Sequence, residues 1–181
     1  MTPHELRQAR TALGFTQRQL ANELQLKRLA ITRYEVGTRR IPGLVEVAIR
    51  HLTAPTRIPL VGTVAAGTPL EAIPQTEVVE VPPSMVGRRD TFALRVKGDS
   101  MRDEGILPGD VVVVQKQATA RNGQTVIALV NGEATIKTYH RKNGAVELHP
   151  ANESMKPIVV KETDTFHIEG IVVGVIRHLR K

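Results

Sequence analysis

The chain has 181 residues, of which 41% are hydrophobic, with 25 Lys+Arg against 18 Asp+Glu and no cysteine. That length allows one domain or two small ones, and the missing cysteines exclude a disulfide scaffold, a thiolate zinc site and a cysteine nucleophile. The net charge of +7 is unevenly placed: residues 1–57 hold ten cations, nine of them Arg, against four carboxylates, whereas the rest of the chain is near neutral. A compact basic module beside a near-neutral one points to a polyanion binder joined to a second part. Five aromatics argue against a stacking platform for single strands. The longest strongly apolar stretch, Ile168 to Ile176, contains Glu169 and falls far short of the roughly 20 residues that span a bilayer. No charged-then-apolar segment opens the sequence, so the expectation is a soluble cytoplasmic protein without a membrane partner.

From Pro3 to Leu52 the apolar spacing is helical. Leu6, Ala9, Arg10 and Leu13 mark a first helix stopped at Gly14. Thr16 is the expected N-cap of a second, from Gln17 to about Leu24, with no glutamate at position 19 to complete a capping box. A third fits Arg28 to Glu35, ended by Gly37. Pro42 suits the first turn of a fourth, which carries Leu44, Val45, Ala48, Ile49 and Leu52. The expected organisation is a helical module over 1–52, a proline-containing linker over 53–59 and a mostly-β domain over 60–181. In the last part, Val78–Val81, Phe92–Val96, Val111–Val114, Thr125–Val130 and Ile171–Ile176 are β-branched runs. Asn131-Gly132 and Asn143-Gly144 read as tight hairpins, because both central residues must tolerate positive φ.

The second and third helices, joined by Gln25-Leu26-Lys27, have the spacing of a helix-turn-helix whose second helix enters a major groove. Arg28, Leu29, Thr32 and Arg33 share one face, following Lys27, while Ile31 and Tyr34 turn toward the core. Arginine can pair with guanine and Leu29 with a thymine methyl. Gln17, Arg39 and Arg40 could hold phosphates without reading sequence. On charge alone, an ordinary solvated helix face explains these arginines equally well.

In the β part, Ser100 lies in Val96-Lys97-Gly98-Asp99-Ser100-Met101, where a strand runs into a glycine-containing turn. A serine is a poor nucleophile unless a base takes its proton. The six histidines are scattered and show neither a link to Ser100 nor metal-ligand spacing, so no metal or cofactor is expected. Lys137, on the second arm of the Asn131-Gly132 hairpin, could act as a neutral base if desolvated. A strand lysine is ordinarily a solvated edge residue, so residue chemistry alone leaves its role open.

The motifs around these residues resemble known families. Leu6-Arg7-Gln8-Ala9-Arg10, Gly14–Ala21 and Ile31–Gly37 resemble the Cro/CI-type (XRE) helix-turn-helix family over residues 3–52. The resemblance implies that Gln17, Lys27, Arg28, Leu29, Thr32 and Arg33 face DNA. One departure is Gln25-Leu26-Lys27, where that family usually has a turn glycine and Ser or Thr opening the recognition helix. Ile58–Gly62, Val64–Gly67, Phe92–Met101, Gly105–Asp110 and Glu169–Arg177 resemble the LexA/UmuD/CI self-cleaving peptidase domain over residues 58–178. By that resemblance Ser100 is the nucleophile, Lys137 the base and Ala66-Gly67 the scissile bond. It further implies a homodimer held by the C-terminal domain on double-stranded operator DNA, and cleavage stimulated by a RecA filament on single-stranded DNA. The expected function is a repressor that inactivates itself. Two rivals are a regulator whose peptidase-like domain only dimerises or binds a partner, and an enzyme that cuts other proteins.

Overall fold

The computed structural model describes residues 1–64, 68–69, 71–72, 77–86, 89–142 and 144–179, with the backbone alone at 68–69 and 71–72. The chain divides into two compact units, one of Met1–Thr56 with Val81–Ser84 and one of Arg57–Glu80 with Met85–Lys181.

The first unit contains four helices, α1 (Pro3–Ala12), α2 (Gln17–Glu23), α3 (Arg28–Val36) and α4 (Gly43–Thr53). Two of the starts are capped by side chains, whereas α3 after Lys27 and α4 after Pro42 open without one. Thr2 and Glu5 form a reciprocal capping box on α1. Thr16 caps α2, and here the expectation of an incomplete box is corrected. Gln19 closes it, its Oε1 accepting from the Thr16 N–H at 2.8 Å, because an amide oxygen serves this role as a carboxylate does. Gly37, at φ 82°, ends α3. The turn between α2 and α3 places Gln25 at φ 52°, the left-handed region that glycine would enter without strain. Leu6, Leu20, Ala21, Ile31, Tyr34, Val45 and Ile49 form the core. Leu44, expected among the apolar positions of α4, is instead exposed.

Beneath that core, Glu35 joins three segments. Its carboxylate is 3% exposed and accepts from Arg10 Nε at 2.6 Å and Gln17 Nε2 at 2.8 Å. Thr32 Oγ1 donates to Gln17 Oε1 at 3.0 Å, and Arg10 Nη1 donates to the Phe15 carbonyl at 2.7 Å. Burial pushes the Glu35 pKa up, but the Arg10 and Gln17 bonds outweigh it and hold the carboxyl below its usual range. The network fixes α3 against α1 and α2.

The expected linker contracts to Ala54 and Pro55. Thr53 completes α4, and the first strand already begins at Thr56. Pro59 lies within that strand, where a missing N–H is tolerated if no ladder bond is required of it.

The second unit is one sheet. Its strands are β1 (Thr56–Val64), β2 (Thr68–Pro69), β3 (Glu71–Ala72), β4 (Val78–Val81), β5 (Thr91–Val96), β6 (Val111–Lys116), β7 (Thr125–Val130), β8 (Glu133–Lys142), β9 (Ala145–His149), β10 (Ile158–Val160) and β11 (Phe166–Ile176). The order is β10-β9-β8-β7-β11-β6-β5-β1-β3, with β2 on β8 and β4 on β1. Strands β1 and β5 run parallel, with Val64 opposite Val96. The expected hairpin joins β7 to β8, Val130 facing Glu133 across Asn131 (φ 53°) and Gly132 (φ 84°). Lys142 faces Ala145 at the β8–β9 turn, although Asn143 lies outside the described residues. A core of Val64, Leu94, Val96, Met101, Ile106, Val112, Val114, Ile127, Ala134 and Ile136 lies beside the segments that carry Ser100 and Lys137. Among the described residues no helix is long and apolar enough to cross a membrane.

Candidate functional site

Ser100 sits in the turn that follows β5, immediately before a short 3-10 turn at Arg102–Glu104. The segment is held at several points. Lys97 N–H donates to the Val64 carbonyl at 3.0 Å, and Gly109 N–H donates to the Val96 carbonyl at 2.7 Å. Asp110, buried below this loop, takes two 2.6 Å bonds from Arg177 and one at 2.7 Å from the Leu107 N–H. The Arg177 bonds, chiefly, hold the Asp110 carboxyl below its ordinary range against the opposing effect of burial.

Lys137 faces Val126 of β7 on one side of β8, while on the other side β2 pairs only as far as Ala134 and β9 only from Thr138. Its side chain is buried all the same, unlike that of the solvated edge lysine. Ser100 and Lys137 are each 2% exposed. Lys137 Nζ lies 2.9 Å from Ser100 Oγ, 2.8 Å from Thr135 Oγ1 and 2.9 Å from the Ile136 carbonyl. Ser100 Oγ can donate to the same carbonyl at 3.3 Å. Burial lowers the Lys137 pKa from 10.5 to about 8, with no carboxylate among the described residues to oppose it.

These contacts admit two protonation states of opposite polarity. As an ammonium, Lys137 donates all three hydrogens, to Ser100, Thr135 and Ile136. As a neutral amine it keeps two donors for Thr135 and Ile136, leaving a lone pair for the Ser100 hydroxyl. Only the second state can remove the serine proton. Thr135 was not singled out in the sequence; the available signal was its position two residues before Lys137, on the same face of a strand.

The other candidate residues fall in different places. Ala66 and Gly67 lie outside the described residues. Both described flanks of that bond are tied to the strands and loop just described: Val64 through Lys97, three residues before Ser100, and Thr68 by pairing with Ala134, three before Lys137. The His140 and His149 rings meet at 4.6 Å with a tilt of 56°, and His149 contacts Glu147 at 2.7 Å. Among the described residues no group of three His, Cys, Asp or Glu side chains could hold a metal. An apolar cleft of about 450 Å³ lined by residues including Pro59, Phe92, Leu94 and Leu129 includes neither Ser100 nor Lys137.

In the helical unit Lys27, Arg28, Leu29, Arg33, Arg39 and Arg40 are exposed and Thr32 is half-buried. Leu29 is 57% exposed, an apolar side chain left in water at the start of α3. Arg39 lies over the Tyr34 ring at 5.6 Å. Gln17 differs from its neighbours in that its amide is engaged by Glu35 and Thr32. One of its two N–H groups is committed to orienting α3.

The Helix-turn-helix family profile matches residues 6–47, and the Peptidase S24-like profile matches residues 59–173. The chain is 63% identical to the LexA repressor of Syntrophotalea carbinolica over 124 residues, 68% of this chain and 61% of that protein. It is 50% identical to the LexA repressor of Syntrophobacter fumaroxidans over 129 residues, 71% of this chain and 62% of the relative. With the LexA repressor of Bordetella pertussis the identity is 48% over 127 residues, 70% and 59% of the two chains. The matched region thus spans about three-fifths of the length of these relatives. A buried serine–lysine pair on a β scaffold, a helix-turn-helix before it and these identities agree: the chain belongs to the Peptidase S24-like family.

Proposed function

We propose that this protein is a DNA-binding repressor that inactivates itself by cutting its own chain between Ala66 and Gly67. The observation that carries the reading is the buried 2.9 Å contact between Ser100 Oγ and Lys137 Nζ. Its relatives' name, LexA repressor, and the exposed cationic start of α3 support the DNA-binding half.

In the proposed reaction, neutral Lys137 takes the Ser100 proton as Oγ attacks the Ala66 carbonyl carbon. The tetrahedral intermediate collapses by breaking the Ala66–Gly67 bond, and the Lys137 ammonium returns a proton to the departing Gly67 amine. Water, deprotonated by Lys137, then hydrolyses the Ser100 ester, releasing the Ala66 carboxylate and restoring the hydroxyl. The flanks at Val64 and Thr68 support this choice of bond. A chain of four peptide links between them extends at most about 14 Å, a short reach that supports access of this bond to the pair.

On DNA, Lys27, Arg28, Leu29, Thr32 and Arg33 would meet the major groove, and Arg39 and Arg40 the phosphates. Gln17 orients α3 and offers its second N–H to a phosphate. A homodimer formed by the C-terminal unit would place two such heads on a palindromic operator. A RecA filament on single-stranded DNA would favour the cut.

The test is incubation of the purified chain at pH 7 and pH 10 with mass measurement of the products. Fragments 1–66 and 67–181 are expected, about tenfold faster at pH 10 because a base with a pKa of about 8 is roughly one-tenth neutral at pH 7. Ser100→Ala should abolish them. A wild-type chain still intact at pH 10 and with activated RecA would refute self-cleavage and favour the regulator that only binds DNA.

A further inference from the structure

The loop bearing Ser100 contains an unusual pair of backbone groups. Ser100 is 2% and Met101 1% exposed, yet neither N–H donates a hydrogen bond among the described residues. Buried backbone N–H groups are almost always paired. Two adjacent exceptions, beside a serine already aligned with an amine, leave donors for an acceptor that arrives with the substrate.

The opposite side of the same peptide is held firmly. The Asp99 carbonyl accepts from Asn152 Nδ2 at 3.1 Å and from the Arg102 N–H at 3.2 Å. Asn152 is 3% exposed, and its own orientation is fixed because Oδ1 accepts from Ser154 N–H at 3.0 Å and Ser154 Oγ at 2.6 Å. One residue earlier, the Ala151 carbonyl accepts from Asp103 N–H at 2.9 Å. The segment after β9 therefore grips the Ser100 turn on both sides of the serine.

We infer that Asn152 is a positioning residue that aims the Ser100 N–H at the oxyanion formed during self-cleavage. The inference rests on the serine–lysine reading above. The Asp99–Ser100 peptide is planar and trans, as are all described peptide bonds, so its C=O and N–H point in opposite directions. Holding the carbonyl from behind fixes where the N–H points in front. Hydrogen bonds onto that carbonyl also polarise the peptide and make the N–H a stronger donor. A preorganised donor of this kind acts where charge develops and needs no rearrangement when it does. Asn152 touches neither the reacting atoms nor Lys137 among the described hydrogen bonds, so its effect should fall on the rate and not on the base.

The test uses the full chain, following self-cleavage from pH 6 to pH 10.5 in wild type, Asn152→Ala and Ser154→Ala. Asn152→Ala should lower the alkaline plateau about 10- to 100-fold, short of the larger loss seen when an oxyanion donor itself is removed. The midpoint of its pH profile should stay at the wild-type value. Ser154→Ala, which removes one of two bonds to Asn152 Oδ1, should give a smaller loss in the same direction. In uncleavable Lys137→Ala chains, Asn152→Ala should also shift the Ser100 amide proton resonance while leaving the β-sheet resonances in place.

An Asn152→Ala plateau within threefold of wild type, with wild type cutting normally, would overturn the inference and leave the serine–lysine reading standing. A shifted pH midpoint or loss of the sheet resonances would overturn it too, by showing that Asn152 acts on the base or on the fold. A wild-type chain that does not cut at any pH would overturn the underlying reading and this inference with it.

Discussion

Replacing Lys137 by Met in an uncleavable Ser100→Ala chain should stabilise it at pH 7 relative to pH 10.5, measured against Ser100→Ala alone. Burial lowers the Lys137 pKa from 10.5 to about 8, and each tenfold change in proton affinity is worth about 1.4 kcal/mol. The buried ammonium therefore costs the folded state about 3 kcal/mol at neutral pH. The sign follows from linkage. Below pH 8 the lysine is protonated both folded and unfolded, and the cost is fully present. Between pH 8 and 10.5 the unfolded chain holds a proton that the folded chain lacks, so rising pH favours folding. Above 10.5 neither state is charged, and the cost is gone.

Methionine has no such dependence. The stability difference between the double variant and Ser100→Ala should shrink by about 3 kcal/mol from pH 7 to pH 10.5. Any constant contribution, such as the donor lost by Thr135 Oγ1, cancels in that comparison, as do the other titrating groups. Urea denaturation of both chains at intervals of one pH unit measures the difference. A difference that stays constant within 0.5 kcal/mol across this range, a margin comparable to ordinary failures of additivity, would refute the claim that Lys137 is buried and easily deprotonated.

Four further outcomes concern the helical unit. Glu35→Ala should destabilise it by about 3 kcal/mol, because Arg10 would keep a largely buried guanidinium without its carboxylate; thermal unfolding followed by circular dichroism reads this. Since the Glu35 carboxyl is held below its ordinary value, its stabilisation is present above pH 4.5 and is lost as pH falls through the folded value, a dependence that Glu35→Gln should remove. Gln25→Gly should raise stability by about 0.5–1 kcal/mol, the relief of a left-handed residue less the added unfolded-state freedom, and an unchanged or lower melting temperature would refute strain at this turn. In DNA titrations Arg28→Ala should relax base preference by about 1–3 kcal/mol, whereas Arg40→Ala should weaken all sequences alike and reduce the salt slope by about one.

The helices were legible because several of their ends are local events: Thr16 and Gly37 act within a turn of where they stand. The β7–β8 hairpin was legible for the same reason, through Asn131-Gly132. What escaped was set by pairing across the sheet. Nothing near Thr56 reveals that β1 begins there, because its partners in β5 and β4 are distant in sequence. Residue chemistry alone left the role of Lys137 open, since its burial is set by residues distant in sequence, Ser100 among them. Thr135 and Asn152 were missed because neither side chain announces chemistry alone. Thr135 accepts from Lys137 and Asn152 donates to the Asp99 carbonyl, contacts that only the folded chain makes. Gln17 shows the converse, a residue whose resemblance pointed outward while half its amide is engaged by Glu35 and Thr32.

The pKa of Lys137 also limits what can restrain the proposed cut. With a value of about 8, roughly one molecule in ten carries the neutral amine at pH 7, so protonation alone slows the reaction only about tenfold. That would be a weak brake for the proposed reaction, in which the chain's own bond is the substrate and is always present. Restraint must therefore come mainly from presentation of the bond, and a partner that favours the presented state can accelerate cleavage far beyond any change of pH. The position of the bond makes such control effective. It lies past the point where the chain's charge changes character, so the released fragment keeps nearly all the excess of cations over carboxylates found in residues 1–57. The head would still be attracted to DNA after the cut. In the proposed homodimer it would lose the link to a second head, and losing that effective concentration can weaken operator binding 10²- to 10⁴-fold without altering a single base contact.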